Sequence, residues 1–253
     1  MRVLITRPRD DAELLARALA GHGIRSLIAP MLEIVFLAGP PVALDGVQAL
    51  LATSANGVRA FARRETHRDL PVYAVGPATA EEARRAGFSR VHVAGGDVVS
   101  LAARVSAELD PEAGTLVHMA GTAVAGDLAG ALDAAGYTVR REILYQARRA
   151  RGLPPEAIAT LSAGTIDGVV LYSARTARTF ADLVDRAGLA PALAGVIAFC
   201  LSPAVADAAA GLRCARMVVA AAPRSDVLVD VIVAAALGRA DPHFVSPRRP
   251  FPC

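Results

Sequence analysis

The sequence predicts an α/β fold: two similar, doubly wound, flavodoxin-like parallel-sheet lobes, joined by two extended strands, with a cleft between them. Short apolar runs with little alternation lie between helical patterns, which is typical of strands covered on both faces. Glycines such as Gly23, Gly136 and Gly188 follow the helical patterns, where a helix end favours positive φ. The order of strands and helices over 2–109 then recurs over 115–237.

The repeat is carried by four pairs of segments, between which the offset rises slowly from 113 to 127 residues, as loop insertions would cause. The pairs are 4–8 with 117–121, 51–56 with 170–175, 75–80 with 201–206, and Leu101, Val105 and Leu109 with Leu228, Ile232 and Ala236. Open α/β sheets bind ligands beyond the carboxyl ends of their strands. We therefore expect the functional site at these strand ends.

The individual elements follow from the length and periodicity of each apolar segment. Strands are predicted at 2–6, 47–52, 71–75, 91–94, 115–119, 167–172, 196–201 and 216–221. Helices are predicted at 11–21, 55–64, 78–86, 98–109, 124–135, 154–163, 175–187, 204–210 and 225–237.

Two longer segments, 24–37 and 137–148, are extended and rich in β-forming residues. We interpret them as the connections between the lobes. The segment from 238 onward has no periodicity and several prolines, so residues 240–253 are expected to be a disordered tail.

Composition narrows the class of protein. The 253 residues are 54% hydrophobic and 20% charged, which is ample for buried cores, and the net charge is only +3. Aromatic residues make up 4% and Trp is absent, which argues against a nucleic-acid stacking surface. The three cysteines have no C-x-x-C spacing, so neither a disulfide framework nor a zinc site is expected. Met1 leads directly into the first strand without a secretory signal, which predicts a cytoplasmic protein.

Hydroxyl residues stand at two equivalent strand-to-helix turns. Ser54 and Ser173 each follow a buried strand and precede a helix, where a serine can cap the helix and free N–H groups, including that of Ala174, can hold an anion. Pure capping without a ligand is the alternative. Because the pattern occurs twice at equivalent turns, we favour ligand contact.

A second pair of turns uses a small residue followed by proline. Gly76 and Ser202 leave the backbone accessible, and the next residue fixes the entry angle of the helix. Thr79 adds a hydroxyl that its counterpart Val205 lacks. The two lobes therefore need not contribute equally to a ligand.

Arginines follow several predicted strand ends, and Arg is the natural partner of a carboxylate. As a set they favour an acidic ligand, although simple solvation is the alternative for each one. The set is Arg7, Arg9, Arg59, Arg175, Arg178 and Arg224.

Tyr145 lies in the second connecting segment, where it would face the cleft. A phenol is a poor base at neutral pH but a possible proton donor. A tyrosine packed for structural reasons is the alternative.

Motifs for other chemistries are missing. There is no G-x-G-x-x-G, and the Walker-like spacing from Gly121 to Gly126 is followed by Asp127 instead of lysine. The histidines show no i, i+4 pair, and neither turn serine lies in G-x-S-x-G. We therefore expect no metal, no cofactor and no hydrolase site.

The chain resembles the uroporphyrinogen-III synthase family in an ordered set of segments that spans 2–237. They are 3–8 (VLITRP), 53–58 (TSANGV), 73–80 (YAVGPATA), 145–146 (YQ), 172–173 (YS), 201–206 (LSPAVA) and 223–225 (PRS). The resemblance implies that the lobes exchange their first units, so that one lobe is 1–37 with 149–253 and the other is 38–148.

The resemblance also implies a reaction. Hydroxymethylbilane, a linear tetrapyrrole with eight carboxylates, would lose water and close with inversion of ring D through a spiro pyrrolenine, without a cofactor. By position in the motifs, Tyr145 would donate to the departing hydroxyl, and the carboxylate-holding loops would include Ser54, Asn56, Thr79, Ser173 and Ser202. The strand ends and turns described above add Gly76 and Ala174 as backbone contacts, and Arg7 and Arg224 as charged ones. The loop around Gly121 departs from the family, which often carries a basic residue beside this glycine, so it contributes either charge or main-chain donors alone.

Two other functions stay open at this point. One is a non-catalytic bilobal module that binds a small acid, and the other is a flavodoxin-like nucleotide binder. In each case the expected partner is a small molecule, with no nucleic acid and no membrane, and the protein is expected to be a monomer.

Overall fold

The computed structural model describes residues 1–123 and 126–238, together with the backbone of 244–245. The chain divides into two compact units. Unit 1 comprises Met1–Glu33 and Arg148–Cys253, and unit 2 comprises Ile34–Ala147.

Unit 1 contains a sheet whose strands alternate with helices along the chain. Its elements are β1 (Arg2–Ile5), α1 (Arg9–Ala20), β2 (Arg25–Ile28), α6 (Pro155–Ser162), β9 (Gly168–Leu171), α7 (Ala174–Arg186), β10 (Ile197–Cys200), α8 (Pro203–Ala208), β11 (Arg216–Val219), α9 (Ser225–Ala236) and β12 (Phe244–Val245). The strand order is β12-β11-β10-β9-β1-β2. The described strand pairs of this sheet are parallel except that of β11 with β12.

Unit 2 is built in the same way. Its elements are β3 (Leu32–Phe36), β4 (Val47–Ala52), α2 (Ala55–Arg64), β5 (Val72–Ala74), α3 (Pro77–Arg85), β6 (Val91–Val93), α4 (Val98–Glu108), β7 (Thr115–Gly121), α5 (Leu128–Asp133) and β8 (Val139–Arg149). The strand order is β3-β8-β7-β4-β5-β6, and the pairs from β8 through β6 are parallel.

The two sheets share one topology. Five strands of each sheet follow the doubly wound order 2-1-3-4-5, with β7, β8, β4, β5 and β6 equivalent to β1, β2, β9, β10 and β11. The register agrees with the sequence repeat, because Ile5 lies opposite Val170 on β9, and its counterpart His118 lies opposite Leu51 on β4. The predicted fold class and the internal repeat are thus confirmed.

Each sheet is covered by apolar side chains on both faces. In unit 1, Val169 packs in the cluster beneath α6 and α7, whereas Val170 packs with α1 and α9. In unit 2, Leu50 packs with α2 and α3, and Leu51 with α4 and α5. Alternate residues of one strand therefore enter opposite cores, which explains why the strands read as continuous apolar runs.

The predicted elements hold except at a few ends. The helix expected at 124–135 is shorter, since α5 begins at Leu128 after Asp127, whose side chain accepts the backbone N–H of Gly130. The segment 24–37 is two strands, β2 and β3, separated at Pro30. The boundaries between the units fall inside β3 and β8.

The predicted disordered tail, 240–253, lies outside the described residues apart from 244–245. Those two residues pair antiparallel with β11. Among the helices that the structure describes, none combines the length and the apolar character required to cross a bilayer.

Candidate active site

The predicted residues of unit 2 gather at the carboxyl end of its sheet. Ser54 follows β4, Gly76 follows β5, and Gly121 ends β7. Tyr145 lies on β8 directly opposite Gly121. In the 2-1-3-4-5 order the direction of winding reverses between β7 and β4, which is where folds of this order bind their ligands.

Ser54 caps α2 and leads to an oriented amide. Its backbone is extended, and its Oγ accepts the backbone N–H of Asn56 at 3.2 Å. The buried Asn56 side chain accepts a hydrogen bond from Arg59 through Oδ1 at 3.1 Å. Because the amide oxygen is engaged by a cation, the NH₂ group is the end of Asn56 that remains as a donor for an anion.

Arg59 itself is held by an acid. Its guanidinium donates to Glu82 on α3 at 2.8 Å, and both side chains are largely buried. This ion pair ties the helix that follows Ser54 to the helix that follows Gly76. Arg59 therefore positions Asn56. The sequence suggested that arginines at strand ends offer their charge to an acidic ligand, but the charge of Arg59 is already paired with Glu82.

The second turn of unit 2 is a backbone device. Gly76 is the extended residue before α3, and Pro77 occupies the first helical position. A Cβ on Gly76 would lie 3.5 Å from the Cα of Gly96, in the turn after β6. Thr79 is buried in the first turn of α3, so its exposed hydroxyl surface is small.

Gly121 provides the space for the Tyr145 ring. A Cβ at Gly121 would lie 2.8 Å from Cζ of Tyr145, so any larger residue would displace the ring. The backbone carbonyl of Tyr145 accepts the N–H of Thr122 at 3.0 Å. The half-buried Tyr145 also packs against the core below α2 and α3. Its position at the end of β7 is thus fixed from two sides.

Sequence reasoning missed a buried polar group on β7, the strand that pairs with β8. His118 on β7 is buried, and its Nε2 shares a hydrogen bond of 2.9 Å with the Thr53 hydroxyl. Burial, with a smaller contribution from the positive charge of Arg141, lowers the pKa of His118 to about 4. His118 is therefore neutral at physiological pH. Thr53, His118 and Arg141 are called the polar trio below.

The sequence repeat contains a signal for this trio. Aligned on the two sheets, Thr53 corresponds to Tyr172, His118 to Ile5, and Arg141 to Ile28. Two strand positions that are apolar in unit 1 thus carry a basic residue in unit 2. A comparison of the two halves position by position could have found them.

In unit 1, Ser173 is the counterpart of Ser54. It is the extended residue before α7, and its Oγ accepts the backbone N–H of Thr176 at 3.1 Å. The hydroxyls of Ser173 and Thr176 lie 2.7 Å apart. Ala174 begins the helix, so its N–H belongs to the first turn, which has no intrahelical acceptors.

Ser202 and Arg224 differ in what they offer. Ser202 precedes α8 in an extended conformation, and its side chain makes no capping hydrogen bond. Arg224 precedes α9, and its guanidinium binds Asp226, with Nε 3.1 Å from Oδ1. This pairing raises the pKa of Arg224 and lowers that of Asp226, because the hydrogen bond favours both charged forms. Arg224 is therefore already paired with an acid.

Arg7 is also engaged by its own unit. Its guanidinium lies 4.1 Å above the centre of the Tyr172 ring and 3.1 Å from Asp11. Thr6, before it, donates to the Val170 carbonyl at 2.7 Å. The Tyr172 hydroxyl is buried, with no hydrogen-bond partner in the part of the chain that the structure describes.

No group of three or more His, Cys, Asp or Glu side chains within the described ranges could hold a metal ion. Cys200 and Cys214 are free thiols. Burial raises the pKa of each to about 12, so neither is a thiolate at neutral pH. The turns described above present hydroxyls, backbone N–H groups, an amide and guanidinium groups.

The fold and these turns define a two-unit α/β protein with donor-rich helix starts at the carboxyl ends of both sheets. The family model described as uroporphyrinogen-III synthase HemD matches residues 13–230. The chain belongs to the uroporphyrinogen-III synthase family. It is accordingly an enzyme of tetrapyrrole biosynthesis, a cyclising lyase.

Solved structures agree on the fold. Uroporphyrinogen III synthase from Thermus thermophilus, in a mutant form, is 20% identical, with 94% of this chain and 100% of that chain covered and a TM-score of 0.52. Uroporphyrinogen-III synthetase from Helicobacter pylori is 14% identical, with 93% and 100% covered and a TM-score of 0.57. A search of curated protein sequences gave no match.

Proposed function

We propose that the chain converts hydroxymethylbilane to uroporphyrinogen III with Tyr145 as the proton donor to the departing hydroxyl. The observation that supports this proposal most is the family match over 13–230. The position of the Tyr145 ring against Gly121, at the end of β7, supports the role of this residue.

The proposed reaction begins with loss of the hydroxyl from the ring-A methylene. A proton from Tyr145 makes the leaving group water, and the pyrrole nitrogen supplies the electrons that form an azafulvene. The substituted α-carbon of ring D attacks it to give the spiro pyrrolenine, which fragments and recloses with ring D inverted. General-acid assistance of this kind contributes roughly 10²–10⁴-fold to a rate.

Positioning is the other part of the proposal. Without a protein, the bilane closes to the isomer in which ring D is not inverted, so the enzyme must hold its carboxylate arms. In unit 2 we assign this role to Ser54, Asn56, Gly76, Thr79 and Gly121. In unit 1 we assign it to Arg7, Ser173, Ala174, Ser202 and Arg224, of which Arg7 and Arg224 must exchange or share their present acid partners.

The capped helix starts support that assignment. Ser54 and Ser173 each bind one N–H of the following turn, and further N–H groups of the turn lack intrahelical acceptors. Such groups favour an anion through their direction and through the helix dipole. Binding energy spent on orienting the substrate lowers the barrier to the productive closure.

We further propose lobe boundaries at 37/38 and 148/149, an exchange of first units between the lobes, and action as a cytoplasmic monomer on a small molecule, with no nucleic acid, membrane or cofactor. The contact-based units, which change at Glu33/Ile34 and Ala147/Arg148, support boundaries of this kind. Nothing in the geometry of either unit favours the alternative of a non-catalytic binding module.

The experiment is an isomer assay. Purified protein is mixed with hydroxymethylbilane generated enzymically, and the oxidised products are separated by chromatography. We expect uroporphyrin III to predominate, and uroporphyrin I to predominate in a control with heat-inactivated protein. Uroporphyrin I alone in both samples would refute the proposed function.

A further inference from the structure

One guanidinium of unit 2 is held at the end of β7 by two backbone carbonyls. Nη2 of Arg141 donates to the carbonyl of Gly121 at 2.6 Å and to that of Thr122 at 3.0 Å. These are the residues at which β7 gives way to the next turn, beside the Tyr145 ring. Arg141 comes from β8, so the charge reaches this turn from the neighbouring strand.

Donors and charge remain after those two bonds. Nε and Nη1 of Arg141 have three N–H groups, none of which has a partner among residues 1–123 and 126–238. The side chain is exposed, and it takes part in none of the ion pairs of the described residues. This distinguishes it from Arg7, Arg59 and Arg224, which are each paired with an acid.

The fold does not require a cation at this position. Arg141 lies opposite His118 in the sheet of unit 2, and the equivalent pair in unit 1 is Ile28 opposite Ile5. The same strand order and register form there with two hydrocarbon side chains. The charge of Arg141 is therefore not needed to form the strand order and register that the two units share.

The other members of the polar trio leave that charge uncompensated. His118 is buried, and its Nε2 is engaged by Thr53. When Nε2 carries the ring proton, Nε2–H donates a hydrogen bond to the Thr53 hydroxyl oxygen, and the hydroxyl hydrogen is then available to a ligand. Thr53 and Arg141 then both offer donors at the ends of β4 and β7, and neither residue is an acid.

We propose that Arg141 is a carboxylate-binding residue of this enzyme, which engages one acid arm of the substrate through an N–H of Nε or of Nη1. The assignment rests on the proposed function for the identity of the acid. Arg141 is not among the residues that the sequence motifs indicate. A planar guanidinium already fixed by two carbonyls loses little side-chain entropy on binding, which makes it a well-prepared partner for a carboxylate.

The test compares Arg141→Ile, which installs the residue of unit 1, with Arg141→Gln and Arg141→Lys. We expect KM for hydroxymethylbilane to rise about 10- to 100-fold in the Ile and Gln variants, the range for loss of a charged hydrogen bond, while kcat changes less than about twofold. Lys should recover part of the loss. KM should also depend less on salt in the Ile and Gln variants than in the wild type.

The matched control is Arg90→Ile. Arg90 is another guanidinium of unit 2 that donates to a backbone carbonyl, that of Asp69, and it lies at the opposite end of the sheet. Arg90→Ile removes the same net charge as Arg141→Ile. Because Arg90 lies away from the proposed binding residue, KM in the Arg90→Ile variant should stay at the wild-type value. If KM rose as much in Arg90→Ile as in Arg141→Ile, the effect would come from the net charge of the protein and not from a contact of Arg141. That result would overturn the proposal.

The Gln variant tests the charge of Arg141 without placing a hydrocarbon side chain at this exposed position. Gln keeps a neutral hydrogen-bond donor but has no charge, so a wild-type KM in Arg141→Gln would overturn the proposal, whether or not Arg141→Ile folds. Binding of uroporphyrin I, an octacarboxylate, is measured in parallel by fluorescence quenching. If the wild type forms no isomer III, the proposed function fails. Even then, a Kd for uroporphyrin I raised at least about 10-fold in Arg141→Gln would support carboxylate binding by Arg141. An unchanged Kd, or no binding to the wild type, would refute that role of Arg141.

Discussion

The two units of this protein have the same backbone plan but place different chemistry on it. Both sheets follow the order 2-1-3-4-5. The turns after the equivalent strands β4 and β9 both carry a serine cap, Ser54 in unit 2 and Ser173 in unit 1. At three equivalent positions, however, unit 2 has the polar trio, whereas unit 1 has Tyr172, Ile5 and Ile28. Both units therefore have backbone donors at equivalent strand ends, but they differ in the charged side chains that lie there.

Individual arginines also differ in their partners. In unit 1, Arg7 is paired with Asp11 and Arg224 with Asp226. In unit 2, Arg59 is paired with Glu82, but within the described ranges the hydrogen bonds of Arg141 go to two backbone carbonyls. Arg7, Arg59 and Arg224 thus each have an acid partner, whereas Arg141 has none among the described residues.

The largest expected effect on stability concerns a helix that approaches its sheet more closely in unit 2. A Cβ at Gly57 would lie 2.2 Å from the Met119 carbonyl oxygen, whereas the equivalent residue of α7 is the buried Thr176. Gly57→Ala should destabilise the protein by about 3 kcal/mol or more, because backbone cannot move aside as a flexible side chain can. Urea unfolding followed by circular dichroism measures this.

Thr176→Ala is the matched control in unit 1. It removes atoms instead of adding them and breaks the contact with the Ser173 hydroxyl, so about 1 kcal/mol is expected. Equal losses in the two variants would show that the helices of the two units approach their sheets alike.

The tyrosine of β8 should have the largest effect on activity. Tyr145→Phe removes the proposed proton donor and should lower kcat about 100-fold with the fold intact, as judged by single-turnover formation of isomer III. The control is Tyr137→Phe in the same unit, whose hydroxyl donates to the Leu109 carbonyl at 2.6 Å. It should cost about 1 kcal/mol of stability and leave kcat unchanged.

A Tyr145→Phe enzyme with the wild-type kcat would remove Tyr145 from the mechanism. A loss of kcat of the same size in Tyr137→Phe would assign both effects to packing.

The buried histidine should make unit 2 sensitive to acid. The pKa of His118 is about 4 in the fold and near 6.5 when unfolded, so the unfolded chain binds the extra proton first as pH falls. Its contribution to stability is complete above pH 6.5 and is lost between 6.5 and 4. From pH 7 to 5 the loss is about 2 kcal/mol.

His118→Ile, which installs the residue of unit 1, should remove that part of the pH dependence. Urea unfolding at pH 7 and pH 5 measures the difference, and the same substitution at the exposed His22 provides the control. An unchanged difference between the two pH values in His118→Ile would contradict the account of this residue.

The smallest effect is expected at the counterpart of Thr53. The Tyr172 hydroxyl is buried without a partner in the described part of the chain, so Tyr172→Phe removes a desolvated polar group. Stability should be unchanged or rise by about 0.5 kcal/mol. A loss above about 1 kcal/mol in thermal unfolding would show that the hydroxyl has a partner in solution.

Much of this architecture could be predicted from the sequence because its signals are local. The apolar strands, the glycines after helices and the serines before α2 and α7 each depend on a few neighbouring residues. The repeat then identified equivalent turns without any knowledge of pairing. The extent of α5 was misjudged, because Asp127 starts the helix later than periodicity suggested, and the segment 24–37 is two strands instead of one extended connection.

The missed features depend on contacts between distant segments. Glu82 neutralises Arg59 from another helix, and Arg141 reaches the end of β7 from the next strand. Neither contact has a local signature, so single arginines near strand ends were read as equally available. The register between β7 and β8 is what brings His118 and Arg141 to one place.

The central claim is that this chain directs the closure of a linear tetrapyrrole toward the inverted isomer. The most direct measurement is the ratio of uroporphyrin III to uroporphyrin I formed from hydroxymethylbilane by the wild-type protein, after subtraction of the spontaneous product. The account predicts that isomer III accounts for nearly all of the protein-dependent product. Protein-dependent product that is chiefly isomer I, or no protein-dependent product, would contradict it.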